Sequence, residues 1–268
     1  MSMPIDLFNR LTAKTKWANK QIDDLQIALG KAFPGGHSDQ YKIRSDDDMN
    51  ARERSYYVTR VPDVPLEIRL RAGDILNNLR CSLDHLACHL VWKNGGTVTS
   101  NTGFPIANSA KEYLSPRVRG KVKGMRQDAI DAIDVIEPYA GGKGTILWRI
   151  ARLNNRDKHR LLLTACSTQT AHRATPSDRK RMEDIFRGSH PGEPVPELRG
   201  HFIGQHTYIP LKAGHKLLTV PHVELEQYMQ FLIDVSFDEP EIVECRPILP
   251  LLHEMSTMVL TPLPDSIA

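Results

Sequence analysis

The sequence predicts a mainly α protein, α+β overall: a helical bundle with a small antiparallel β-sheet and a C-terminal helix. Two observations carry this. Apolar residues at alternating spacings of three and four recur through roughly the first 165 residues. Short runs rich in aromatic and β-branched residues stand at 41–61 and again after residue 201.

Phe8, Leu11, Thr15, Ala18, Ile22, Leu25 and Leu29 form one stripe down a long first helix, and "FPGG" stops it. "YKIRS" and "RSYYVTRV" predict a two-stranded ribbon joined by an exposed acidic connection, "SDDDMNARE". Pro65 opens a second helix striped by Ile68, Ala72, Ile75, Leu79, Leu83, Leu86 and Leu90, and "NGG" closes it. Ala129, Ile133 and Ile136 mark a further helix that stops before Pro138. "AGGKGT" is a hinge, after which Thr145 caps "ILWRIARLNNRDKHRLLL", with Ile146, Ile150 and Leu153 inward. Residues 167–200 are polar, basic and proline-bearing, and predict a surface excursion of low order. "HTYIPL", "HKLLTV" and "MQFLIDVSF" then predict strands, before a closing helix from about Val243 to Leu260. The expected division is a helical domain over 1–165, the excursion over 166–200, and strands plus a C-terminal helix over 201–268, packed on the first domain.

Composition narrows the function classes. The longest apolar runs, such as "ILPLL", fall far short of the ~20 residues of a membrane span. The start "MSMPIDLFNR" has no basic segment followed by an apolar block, so a cytoplasmic protein with no membrane partner is expected. Cys81, Cys88, Cys166 and Cys245 are too scattered for a zinc cassette or a disulfide framework. A net charge of +3 does not diagnose nucleic-acid binding, which puts the weight on local clusters.

The second helix is where function is expected. In "GDILNNLRCSLDHLACHLVW", residues 73–92, Arg80 and Asp84 are the only formal charges between Ile75 and Trp92. Asp84 follows Arg80 by four, a spacing that lets them pair. Asn78, Cys81, His85, Cys88, His89 and Trp92 gather on a small polar face without the Lys or Glu of a solvated surface. Such a face suits a subunit interface or a lined cavity.

Arg80, four intervening residues and His85 fit the Arg-(four to six residues)-His motif, and the helix resembles the motif helix of the HEPN superfamily. The wider "NNLRCSLDHL" is similar to a pattern in uncharacterised bacterial and phage proteins. Arg152–His159, Arg199–His206 and Arg246–His253 satisfy the spacing too, but only Arg80–His85 sits within a nearly charge-free helix. The resemblance implies a HEPN-like helical domain acting as a metal-independent endoribonuclease, in the role of a toxin or phage-defence effector. It also implies a homodimer through the 78–92 helix, with one composite site at the interface. On this reading no cofactor is needed. His85 is the acid–base group, Arg80 holds the phosphate, Asp84 orients Arg80, and Asn78 donates a hydrogen bond to RNA.

Two further clusters extend the expected site. In "NNRDKHR", Asp157 continues the inward face of its helix and could reach Arg80 or His85. His159 supports it from the helix end, and Arg156 or Arg160 could bind phosphate. "RVRGKVKGMR" reads as a strand whose Arg117, Arg119, Lys121 and Lys123 share one face toward a phosphate backbone. Two other functions use the same residues. His85 and His89, four apart, could share a metal ion with Asp157 or His159 in a metal-dependent hydrolase. The helix could also belong to a non-catalytic RNA-binding or oligomerisation module.

Overall fold

The structure is a computed structural model that describes residues 5–33, 40–159, 163–197, 201–205, 208–225 and 229–260; the side chains of 5–12 and of residue 159 lie outside that description. In chain order the first elements are α1 (Ile5–Ala32), β1 (Lys42–Asp48), β2 (Glu53–Arg60) and α2 (Leu66–Lys93). Two one-turn helices, α3 (Ala110–Tyr113) and α4 (Pro116–Arg119), precede α5 (Gln127–Ile136) and α6 (Thr145–His159). Then come β3 (Ala165–Arg173), α7 (Pro176–Ser189), β4 (Phe202–Gly204), β5 (Lys216–Pro221) and β6 (Phe231–Phe237). The short α8 (Pro240–Val243) and α9 (Ile248–Leu260) complete the order. None of the helices described is long and apolar enough to cross a membrane.

These elements form two compact units interleaved in sequence. The first takes the chain as far as Leu29, then Leu66–Thr164, then the segment from Ile248; the second takes Gly30–Pro65 and Ala165–Pro247. The expected 1–165 domain is therefore interrupted, because the ribbon at 42–60 pairs with β5 rather than with anything helical.

In the first unit α2 packs against both α6 and α9, which also touch each other. Ile75, Leu79 and Leu83 of α2, Leu147, Ile150 and Leu153 of α6, and Leu251, Leu252 and Met255 of α9 are fully buried. Each such side chain stabilises by about 1.5–3 kcal/mol, more than the spread of helix propensity among ordinary residues. α2 stops at "NGG" for a specific reason. Gly95 takes φ +74°, its N–H donates to Trp92 O at 2.9 Å, and the Gly96 N–H donates to Val91 O at 3.0 Å. That pair of bonds is a Schellman cap, and the left-handed position favours glycine. α1 lies along α2: Thr15, Ala18, Ile22, Leu25 and Leu29 are buried as the stripe predicts, while Phe8 and Leu11 lie outside the described side chains.

The second unit holds two three-stranded antiparallel sheets, ordered β1-β2-β5 and β4-β3-β6, where one small sheet was expected. Tyr41, Val58, Leu211, Leu217, Phe231 and Ile233 pack into one core between them. The acidic run is not a connection, since Ser45–Asp48 pair with Tyr56–Glu53 inside the ribbon. β1 is exposed along its whole length and carries Asp46, Asp47 and Asp48, charges that discourage edge-to-edge pairing.

Residues 167–200 are not of low order over the described residues. β3 is the central strand of its sheet, and α7 starts at a capping box in which Thr175 and Asp178 satisfy each other's backbone N–H. The polar composition has a simple cause: no residue of α7 is buried. The closing helix is also split, into α8 and α9, by left-handed Glu244 and Cys245, both at φ 53°.

Candidate functional site

The polar residues of α2 point in two directions. Residues five apart on a helix stand about 140° apart around its axis, so Arg80 and His85 leave α2 on different sides. Arg80 faces the "GFPI" loop. Its Nη2 donates to Asp84 Oδ1 at 2.8 Å and to Phe104 O at 3.3 Å, and the Phe104 N–H donates to the same Asp84 oxygen at 3.0 Å. The pair expected from the four-residue spacing is present, with side chains 15% and 37% exposed.

Lys121 joins them from the 3-10 turn at Gly120–Val122. Gly103 donates to Lys121 O at 3.3 Å, and a Cβ on Gly103 would lie 3.0 Å from Asp84 Oδ1 and 3.7 Å from Lys121 Nζ. A side chain at this position would press on the Asp84 carboxylate, which would have to give by a few tenths of an ångström. Burial pulls the Arg80 guanidinium below its ordinary pKa, against the opposing effect of Asp84. Burial and then the charge of Arg80 lower Lys121 as well, again opposed by Asp84. Two cations therefore crowd one carboxylate. Arg80 Nη1 is buried and has no hydrogen-bond partner among the described residues. That nitrogen is shielded from solvent, so an anion could meet it only if the Gly103–Phe104 loop moved aside.

The other side of α2 is partly covered by α1. Asn78 Nδ2 donates to Gln21 Oε1 at 2.8 Å, Lys14 Nζ donates to Asn78 Oδ1 at 3.1 Å, and Thr15 Oγ1 donates to Ser82 Oγ at 3.3 Å. Both ends of the Asn78 amide are thus engaged by α1. His89 is fully buried, and neither ring nitrogen has a partner among the described residues; burial and then Lys93 lower its pKa. His85 is exposed, and so is Trp92, at 44%. The small polar face is thus divided into a part sealed by α1 and a part open at His85 and Trp92.

The α6 residues fall elsewhere. Asp157 lies against Gly73, where a Cβ would come within 2.7 Å of its Oδ2. Gly73 is two turns before Arg80, about 10 Å along the axis, so Asp157 meets α2 at Gly73 rather than at Arg80 or His85. Arg156 is half-buried; Arg160 and the side chain of His159 lie outside the described residues.

The basic segment is not a strand. Ser115 accepts from the Val118 N–H, Pro116 takes the first helical position, and Val118 and Val122, four apart, are buried. Its arginines are largely paired. Arg119 binds both Asp134 oxygens, at 2.6 and 3.1 Å, Arg117 binds Glu112, and Arg126 donates to Asp128 Oδ1 at 2.7 Å. Lys123 is exposed, and Lys121 alone turns toward Arg80. The Ser-Pro start and the Val118–Val122 spacing are the signals that alternation of basic residues hid.

No family model matches the chain, and no significant match is found among curated proteins or solved structures.

Proposed function

We propose that the helical unit binds RNA phosphate at Arg80 and Lys121 and acts as a HEPN-like, metal-independent endoribonuclease that is completed by a second copy of the chain. One observation carries this reading: the buried Nη1 of Arg80, without a hydrogen-bond partner among the described residues, beside Lys121. If the Gly103–Phe104 loop moved aside, a phosphate oxygen would supply the missing acceptor, and charge developing on a scissile phosphate would be stabilised there. His85 cannot share a phosphate with Arg80 of its own helix, being about 140° away around the axis. In an isologous pair, His85 of one copy faces the phosphate held by the other, and removes or returns the 2′-hydroxyl and 5′-oxygen protons. Exposed Trp92, on the side of α2 that carries His85, supplies apolar area for such a contact.

The test is cleavage of a generic RNA with EDTA present, scored for the parent, His85→Ala and Arg80→Lys. The expected result is cleavage by the parent and loss in both variants, because a point charge lacks the bidentate fork of Arg80. A second reading, a non-catalytic RNA-binding module, is favoured by the divergence of Arg80 and His85. It predicts RNA binding without cleavage and no effect of His85→Ala. The metal-dependent reading has less support, since His89 is fully buried while His85 is exposed.

A further inference from the structure

We infer that the sheet-bearing unit carries a zinc site formed by Cys166, Asp238 and Cys245. The Cys166 Sγ, an Asp238 carboxylate oxygen and the Cys245 Sγ all lie within 4.8 Å of one another. The sheet builds this meeting from two distant segments of the chain, Cys166 and the stretch from Asp238 to Cys245. Cys166 of β3 pairs with Ser236 of β6, so Asp238, two residues on, is its diagonal neighbour on one face. A bridge between Ser236 and Pro247 returns the chain, setting Cys245 beside both. Cys245 is 2% exposed and, with Glu244, holds a left-handed conformation that non-glycine residues avoid. Strained positions of this kind cluster at ligand clamps.

The chemistry of the donors selects the ion. Two thiols with one carboxylate suit a borderline-soft dication and not magnesium or calcium, which take oxygen ligands. Tetrahedral zinc, at about 2.3 Å from each sulfur, needs ligand atoms about 3.8 Å apart, which small side-chain shifts here would achieve. Three protein ligands leave a fourth position for water. Binding expels two protons to solvent, one from each S–H, and the two thiolates and the carboxylate surround the dication. The site is independent of the nuclease reading, since it lies in the other unit.

The experiment titrates the reduced, chelator-stripped full chain with Co2+, then displaces the cobalt with Zn2+. One equivalent should give thiolate-to-cobalt absorption in the near ultraviolet and tetrahedral bands in the visible. Cys166→Ser and Cys245→Ser should each lose them, while the double variant Cys81→Ser/Cys88→Ser should keep them. Asp238→Asn, which preserves side-chain shape, should weaken zinc binding at least about tenfold, and decides the matter if a serine variant misfolds. Absence of the bands in the parent, their survival in both serine variants, or unchanged affinity in Asp238→Asn overturns the site. So does a Cys166–Cys245 disulfide in protein isolated under nitrogen.

Discussion

A Cβ placed on Gly73 of α2 would lie 2.7 Å from Asp157 Oδ2 and 2.9 Å from Oδ1, so α2 and α6 meet here backbone against carboxylate. In an open helix interior Gly→Ala gains roughly 0.5–1 kcal/mol. Here Gly73→Ala should gain nothing or lose stability, because it displaces a carboxylate whose Oδ1 is already buried without a partner among the described residues. In an Asp157→Ala background the same change should recover the full gain. Denaturant melts of the four proteins give the coupling, and strict additivity would show that the contact has no energetic content.

Asp84 joins Arg80 to the Phe104 backbone through one oxygen. Asp84→Ala should cost roughly 1–3 kcal/mol, below the range for a sealed ion pair because the carboxylate is partly solvated. Asp84→Asn should cost less, since its amide oxygen can still accept from Phe104. Urea melts would rank them, and equal losses would mean that the Phe104 bond contributes nothing.

His89 gives a pH dependence of known sign. Its folded pKa is depressed below the ordinary histidine value of about 6.5. The stability it permits is complete above that value and is lost as pH falls through the folded pKa, where the buried ring must charge. His89→Leu should remove that dependence. It should also raise stability at pH 7 by about 1–2 kcal/mol, because two ring nitrogens, buried without partners among the described residues, disappear. A lower melting temperature in His89→Leu at pH 7 would mean the ring makes a contact worth more than its desolvation.

Lys121→Gln should separate binding from stability. A half-buried ammonium beside Arg80 is held at some cost, so its removal should leave the melt unchanged or slightly higher. If Lys121 meets phosphate, polyuridylate affinity should fall and its logarithmic salt slope should flatten by about 0.7, the single-strand value per contact. Lys123→Gln, with an exposed side chain, serves as the control.

Much of the helical frame was legible because long apolar stripes leave few alternatives: Ile75, Leu79 and Leu83 could face only inward. The Arg80–Asp84 pair was legible for the same reason, as it lies within one helix. What the sequence hid was non-local or locally ambiguous. The partner loop at Gly103–Phe104 is some twenty residues away, and nothing in its composition points to Asp84. Lys121 was identified, but on an imagined strand, because alternating basic residues outweighed the cap at Ser115 and the buried pair Val118 and Val122. Cys166 and Cys245 look scattered because only strand pairing brings them together.

The interleaving of the two units dictates an order of events during synthesis. The ribosome releases α9 after every other described element, yet α9 covers apolar surface on both α2 and α6. Until Leu251, Leu252 and Met255 emerge, that surface stays open to water, while the described strands of the other unit have already been made. The sheets can thus fold on the nascent chain, and the helical bundle that holds Arg80 waits for α9. A pause or premature stop near residue 247 would release a chain with paired strands and an unsealed bundle, a species prone to aggregation and open to holdase chaperones.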